Sequence, residues 1–345
     1  MQLKNRQCRL AARPSGLPQA SDWSFVDDVV PDIEEGEFLV SVEYLSIDPA
    51  MRSWMNPVRS YVEPVEIGEV MRAAAIGRVV ESCHPDFTIG SYVNGAFGVQ
   101  QYAVSDGRGV TVVDPSLGPP VAHLGVLGLS GLTAYFGLLD IGKPERGQTV
   151  VVSGAAGSVG SIVGQIARVE GCQTIGIAGG KEKCDWLVGE LGFDAAIDYK
   201  SEDVRRRLRD LAPDGVDVFF DNVGGEILDH VLARLAPHAR VVISGAISQY
   251  NASETPLGPA NYMQLLVRRA SMTGFVIFDY AKRYREGVAK LSEWLGSGEI
   301  HAREDIIQAD VDDFPDVLLR LFRGQNTGKL AMALPTAGPA DGAVA

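Results

Sequence analysis

The chain has 345 residues, 46% hydrophobic and 22% charged. That is the make-up of an ordinary soluble globular protein, at a length where two domains are expected. A formal net charge of −13 argues against nucleic acid or an anionic membrane as the main partner. Cys8, Cys83, Cys172 and Cys184 form no C-x-x-C pair, which argues against a zinc ribbon or redox dithiol and fits a reducing, cytoplasmic compartment. The N-terminus lacks the apolar core of a signal peptide.

Up to about Gly125, short alternating runs are broken by Gly and Pro. Phe38–Tyr44 and Ala75–Val80 read as strands, and Phe87–Val93 as a turn feeding another, so the first domain is expected to be an all-β barrel. Pro115–Leu139 carries no Asp, Glu, Lys or Arg and is long enough to span a bilayer. Its prolines, glycines and His123 favour instead a helix, at about Leu132–Leu139, buried between two domains. Strands and helices then alternate: strand Val150–Val152 and helix Ser158–Glu170, strand Thr174–Ala178 and helix Glu182–Glu190, strand Ala195–Asp198 and helix Ser201–Leu211, strand Val216–Phe220 and helix Glu226–Leu235, then strands Val241–Ser244 and Met272–Val276. This alternation predicts a doubly wound parallel sheet, a Rossmann domain of the α/β class. A helix is expected over Tyr284–Gly296, and strands over Ile306–Asp310 and Lys329–Leu334 return to the first domain. The expected boundaries are 1–125 with 305–345 for the first domain and 126–304 for the second, with Pro335–Ala345 frayed.

The densest signal is Thr149-Val150-Val151-Val152-Ser153-Gly154-Ala155-Ala156-Gly157-Ser158-Val159-Gly160: a β-branched run, a small-residue turn, then a helix with Ile162, Val163, Ile166 and Ala167 on one face. Such a strand–turn–helix holds a dinucleotide pyrophosphate on exposed backbone N–H groups at the positive end of a helix. Ala155 stands where the first glycine of the fingerprint usually sits; Gly157 and Gly160 fill the others. NAD sites place an acid about 20 residues on, whereas here Ile175-Gly176-Ile177-Ala178-Gly179-Gly180 ends without one and Lys181 and Lys183 follow. Without that carboxylate, and with an ammonium nearby, the site favours NADPH/NADP+. Lys183 is the expected contact and Lys181 a solvated helix-start residue. At the end of the fourth strand, Asp221-Asn222-Val223-Gly224-Gly225 offers the Asn222 amide near the nicotinamide ribose, although Asn-x-Gly-Gly also makes a good turn by itself.

A catalytic zinc site needs Cys and His ligands. In the first domain Cys8, Cys83, His84 and His123 have no metal-like spacing, and Gly68-Glu69-Val70 occupies the slot of a G-H-E ligand motif, so no metal is expected. Hydride must then go to an acceptor already activated by conjugation, with hydrogen-bond donors stabilising the enolate.

Several further stretches carry a resemblance: Tyr44-Leu45-Ser46-Ile47-Asp48-Pro49-Ala50-Met51-Arg52, Gly68-Glu69-Val70-Met71-Arg72, Gly192 to Lys200, Phe220 to Glu226, Gly245 to Asn251 and Asn326-Thr327-Gly328-Lys329. Over nearly its whole length the chain resembles the zinc-independent medium-chain dehydrogenase/reductases, in the branch of prostaglandin/leukotriene reductases, plant alkenal reductases and NADPH-dependent curcumin reductases. The resemblance implies a GroES-like first domain and NADPH-dependent reduction of the C=C bond of α,β-unsaturated ketones or aldehydes. It further implies Ala156, Gly157, Ser158 and Val159 on the pyrophosphate, with Lys183 and Tyr199 by the 2′-phosphate. Asn222, Ser244, Gly245, Ala246, Ile247, Ser248, Tyr250, Phe275, Val276, Ile277 and Asn326 would surround the nicotinamide side. Many relatives have a tyrosine where this chain has Ala50, and mammalian and plant members one where it has Val267. Tyr250, after the strand end facing the nicotinamide, therefore ranks first as catalytic hydroxyl and Tyr262 second, and Tyr61 is a candidate for the substrate pocket. By analogy, such folds pair through the sixth strand, making a homodimer through Met272–Val276 the expectation. The competing readings are an NADPH:quinone oxidoreductase, a zinc-free alcohol dehydrogenase, and a non-catalytic NADPH-binding protein.

Overall fold

The computed structural model describes residues 3–58 and 60–335. In chain order, β1 (Lys4–Leu10), β2 (Trp23–Val29) and β3 (Phe38–Ser46) lead to the short helix α1 (Ala50–Trp54) and to β4 (Ala75–Ser82), β5 (Tyr92–Gly95), β6 (Tyr102–Ser105) and β7 (Thr111–Val112). Helix α2 (Leu129–Phe136) opens the alternating part: β8 (Thr149–Ser153), α3 (Ser158–Val169), β9 (Gln173–Ala178), α4 (Lys181–Gly189), β10 (Ala195–Asp198), α5 (Val204–Leu211), β11 (Val216–Asp221), α6 (Gly225–Leu232) and β12 (Leu235–Ile243). Then come α7 (Gln264–Arg268), β13 (Ser271–Gly274), α8 (Tyr284–Ser297), β14 (Glu304–Gln308), α9 (Phe314–Phe322) and β15 (Lys329–Ala333).

Two compact units emerge. One takes the chain up to Leu124, Glu304–Gln325 and the stretch from Leu330; the other takes Gly125–Arg303 and Asn326–Lys329. The first holds a β1–β2 hairpin and a seven-stranded sheet in the order β14-β15-β3-β4-β5-β7, with β6 also on β3. Its core gathers Phe38, Leu45, Met51, Met71 and Met332 with Phe314, Val317, Leu318 and Leu321 from one face of α9, apolar residues at helical spacing.

The second unit is a parallel sheet in the order β10-β9-β8-β11-β12-β13. The order reverses between β8 and β11, and at such a switch point the loops leaving the strands' carboxyl ends diverge and open a crevice. β8 and β11, with burial patterns that are almost wholly interior, are the near-continuous hydrophobic runs that a sheet covered on both faces requires.

Several boundaries differ from expectation for local reasons. The helix expected from Ser201 starts at Val204, because Asp203 caps it by accepting from Arg206 N (3.0 Å) and Ser201 Oγ is engaged by Asp198 (2.7 Å). Leu235, read as helical, already opens β12. The apolar stretch after Pro115 breaks into a short turn of helix at Pro120–Leu124, α2 and a wider turn at Gly137–Gly142. No helix among the described residues is long and apolar enough to cross a membrane. The expected fraying of 335–345 lies almost wholly outside the described residues.

Candidate cofactor and active site

The turn between β8 and α3 is shaped by two glycines. Gly154 adopts φ +58°, a left-handed conformation that favours glycine, and a Cβ on Gly160 would lie 2.4 Å from the Gly154 carbonyl oxygen. Ala155, at the fingerprint's first position, is fully buried against β9, so alanine suffices there. The first backbone bond of α3 runs from Ser161 N to Gly157 O, so the Ser158, Val159 and Gly160 amides have no partner within the helix. Gly157 N turns inward to Gly154 O (2.9 Å) and shapes the loop rather than offering a donor. Ser158 Oγ is buried without a hydrogen-bond partner. An orphaned hydroxyl beside unpaired amides at a helix start is a fitting seat for a phosphate. Gly328 N donates to Ala156 O (2.8 Å), pinning the Asn326–Lys329 segment to this turn; Asn326, also buried, spends its Nδ2 on Gly328 O (3.1 Å).

At the end of β9, Gly179 lies under the Tyr199 ring and the Lys200 stem, each 2.9 Å from where its Cβ would stand. A side chain there would displace both. The Asp198 carboxylate joins the loops after β9 and β10, accepting from Gly180 N (2.7 Å) and Lys200 N (3.0 Å). Despite partial desolvation, these bonds and that of Ser201 hold its carboxyl below the usual carboxylate range. Lys183 sits half-buried in the first turn of α4, whereas exposed Lys181 pairs with Asp185 (2.6 Å).

At the switch point, Asp221 and Ser153 end adjacent strands and are fully buried. Ser153 Oγ donates to Asp221 Oδ1 (2.6 Å) and accepts from Asn222 N (2.8 Å), while Asn222 Nδ2 donates to Ser153 O (2.8 Å). Val223 N and Gly224 N also donate to the Asp221 carboxylate (3.0 Å each). Burial pushes the Asp221 carboxyl above its ordinary range, opposed by these hydrogen bonds. Ser244 N and Gly245 N reach Asp221 O, Ile247 N reaches Asn222 O, and Ser248 N and Oγ reach Val223 O, so the loop after β12 is laced onto the one after β11. Within it, Tyr250 folds back so that its hydroxyl oxygen accepts from Ala246 N (3.2 Å).

Family models match at residues 6–113, described as the N-terminal domain of oxidoreductase, and at 158–294, described as zinc-binding dehydrogenase. The chain is 40% identical to the NADPH-dependent curcumin reductase of Escherichia coli over 334 residues, covering 95% of this chain and 96% of the relative. It is 36% identical to the NADP(+)-dependent 2-alkenal reductase of Nicotiana tabacum, covering 95% and 97%. The crystal structure of CurA in complex with NADPH from Vibrio vulnificus superposes with a TM-score of 0.91 at 43% identity, covering 96% of this chain and all of that one.

The chain belongs to the zinc-independent medium-chain dehydrogenase/reductases. As a member of that family it is an NADP-dependent oxidoreductase. Among the described residues, no group of three or more His, Cys, Asp or Glu could hold a metal ion.

The remaining expected site residues are spread out. Phe275 packs its ring edge-on to Tyr280 (6.2 Å), and Val276 and Ile277 follow it out of β13. Tyr262 is exposed on the turn before α7, beside Asn261, whose amides are held by Asp229 of α6. Tyr61 is exposed in the segment between α1 and β4. Where the family often has tyrosines, Ala50 opens α1 and Val267 is exposed on α7. Sequence reasoning passed over Ser153, Asp198 and Lys200. The first two look like ordinary strand-end turn residues. Lys200 was visible only as part of a family stretch.

Proposed function

We infer that the chain reduces the C=C bond of α,β-unsaturated ketones or aldehydes with NADPH. The observation that carries this reading is the acid-free end of β9, where Gly179 is overlaid by Tyr199 and Lys200 and followed by Lys183, in a chain alike end to end with reductases named for curcumin and 2-alkenals. Ala156, Ser158 and Val159 would hold the pyrophosphate and Lys183 and Tyr199 the 2′-phosphate. Asn222, the 244–250 loop, the 275–277 segment and Asn326 would border the nicotinamide half. When bound, NADPH supplies the hydride for the β-carbon.

The chain's own part is to hold the acceptor and stabilise charge on its oxygen. Tyr250 is the first choice for this. Its oxygen accepts an amide N–H and its proton remains to be donated, and that N–H also strengthens the O–H as a donor. One such donor contributes about 3 kcal/mol to an oxyanion transition state. A proton then reaches the α-carbon from that hydroxyl or from water.

We also propose a homodimer formed along β13. That strand ends the sheet order and all four of its residues are exposed. Leu266 (71% exposed), Val267 (57%), Met272, Met263 and Phe278 cluster around it in sequence. Exposed apolar residues at a bare sheet edge call for a partner. The same reading places the protein in a reducing cytoplasm, consistent with four unpaired cysteines.

The test is NADPH oxidation measured with a simple enone, an enal, a curcuminoid and a quinone of similar size. Turnover on the first three above that on the quinone supports the reading. Preference for the quinone, or tight NADPH binding without turnover, replaces it.

A further inference from the structure

The Asp221 carboxylate has more partners than a turn residue needs. It is fully buried, forms no ion pair among the described residues, and gathers Ser153 Oγ, Val223 N and Gly224 N at 2.6–3.0 Å. An uncompensated buried charge is costly, so its retention calls for a return elsewhere. The neighbouring bonds indicate where. As an acceptor-only group, the carboxylate forces Ser153 to spend its proton on Asp221, which leaves the serine oxygen to accept from Asn222 N. The Ser153 carbonyl in turn can take only a donor, so Asn222 must present Nδ2 to it. That fixes the amide's flip and leaves Oδ1 as the group offered outward. The carboxylate thus governs the hydroxyl and, through it, the Asn222 backbone N–H, while the side-chain flip is set by the Ser153 main-chain carbonyl.

We propose that Asp221, acting through the Ser153 hydroxyl, is a positioning residue that holds the Asn222 main chain in place and so fixes the point from which its side chain meets the nicotinamide ribose, whose hydroxyl would donate to Asn222 Oδ1. This rests on the reading of Asn222 as a nicotinamide-side residue. It goes beyond that reading in assigning the control of its position to two buried side chains, Asp221 and Ser153.

The experiment uses the full-length enzyme and two probes: NADP+, and adenosine 2′,5′-bisphosphate, which carries the adenine half with its two phosphates and no nicotinamide ribose. Asp221→Asn, Ser153→Ala, the double variant and Asn222→Ala are titrated with both, and kcat and KM for NADPH are measured with an enone. Each single variant is expected to weaken NADP+ or lower kcat/KM for NADPH by about threefold to tenfold, the loss of one neutral hydrogen bond. Affinity for the bisphosphate should stay within about twofold, because the turn at 154–160 and the 2′-phosphate side are untouched. Since Asp221 and Ser153 act through one bond, the double variant should be little worse than Asp221→Asn. Ser153→Ala removes a single oxygen, and it carries the test if Asp221→Asn does not fold. Equal losses for both probes would make the pair merely structural and overturn the proposal, as would unchanged NADP+ binding and kinetics. If Asn222→Ala alone is silent while the others lose NADP+, the route through Asn222 is wrong and the proposal falls. If the unsubstituted enzyme holds the bisphosphate but not NADPH, the cofactor reading itself fails.

Discussion

Tyr250 and Lys183 illustrate how much a single side chain is asked to do. Tyr250→Phe removes the only atom of that side chain able to hold an enolate oxygen, and kcat with an enone should fall about 100-fold while KM for NADPH moves little. Steady-state kinetics check this, and an unchanged kcat would pass the role to Tyr262 or water. Lys183→Ala should cost NADPH binding about tenfold and leave NADH alone, narrowing the preference between them, because only the phosphorylated cofactor gains from the ammonium. Isothermal titration with both cofactors reads it directly. At this scale the sequence points most directly where chemistry and turn type coincide, and Asn222 and Lys183 stood out there as candidates. Ser153 and Asp221 did not, because burial turns an ordinary Ser or Asp into a framework element and burial is set by neighbouring strands rather than by local sequence.

The β8–α3 element shows a sequence pattern that translates into structure almost residue for residue, since a β-branched run, a glycine turn and a 3.6-residue apolar period each have one comfortable conformation. Its weak point is Gly160. A methyl there would overlap the Gly154 carbonyl and lie 2.8 Å from Ala155 Cα. Gly160→Ala should therefore destabilise the protein by about 1–3 kcal/mol and weaken NADPH binding more than its thermal shift accounts for; thermal unfolding with and without NADPH separates the two effects. The β1–β2 hairpin is the opposite case. Lys4–Leu10 reads as a polar stretch, yet Asn5 and Gln7 are buried, bonded to Tyr102 O and Gln100 Oε1. Buried polar residues satisfied by a distant strand erase the alternation that would have announced the hairpin. Helix α9 lies outside the expected elements, although Phe314, Val317, Leu318 and Leu321 give it an apolar face at helical spacing.

For the molecule as a whole, an edge strand bare on one side that carries exposed Met272 and follows exposed Leu266 and Val267 in the chain predicts association. Analytical ultracentrifugation should give twice the chain mass for the native protein and a monomer for Met272→Arg with Leu266→Asp; a native monomer at micromolar concentration would end that proposal. The parallel sheet of β8 to β13 was readable because its first four strands are each followed by a helix, whereas the sheet of the first unit was not, because its partners come from both ends of the chain. That interleaving has a practical side. The turn between β8 and α3 leans on Gly328, some twenty-five residues beyond Arg303, where the contiguous part of its unit stops. Anyone transplanting this dinucleotide module into another scaffold by cutting at 125 and 303 would leave the Ala156 carbonyl without its donor. The short run from Asn326 to Lys329 would have to travel with it, grafted back as a separate splint.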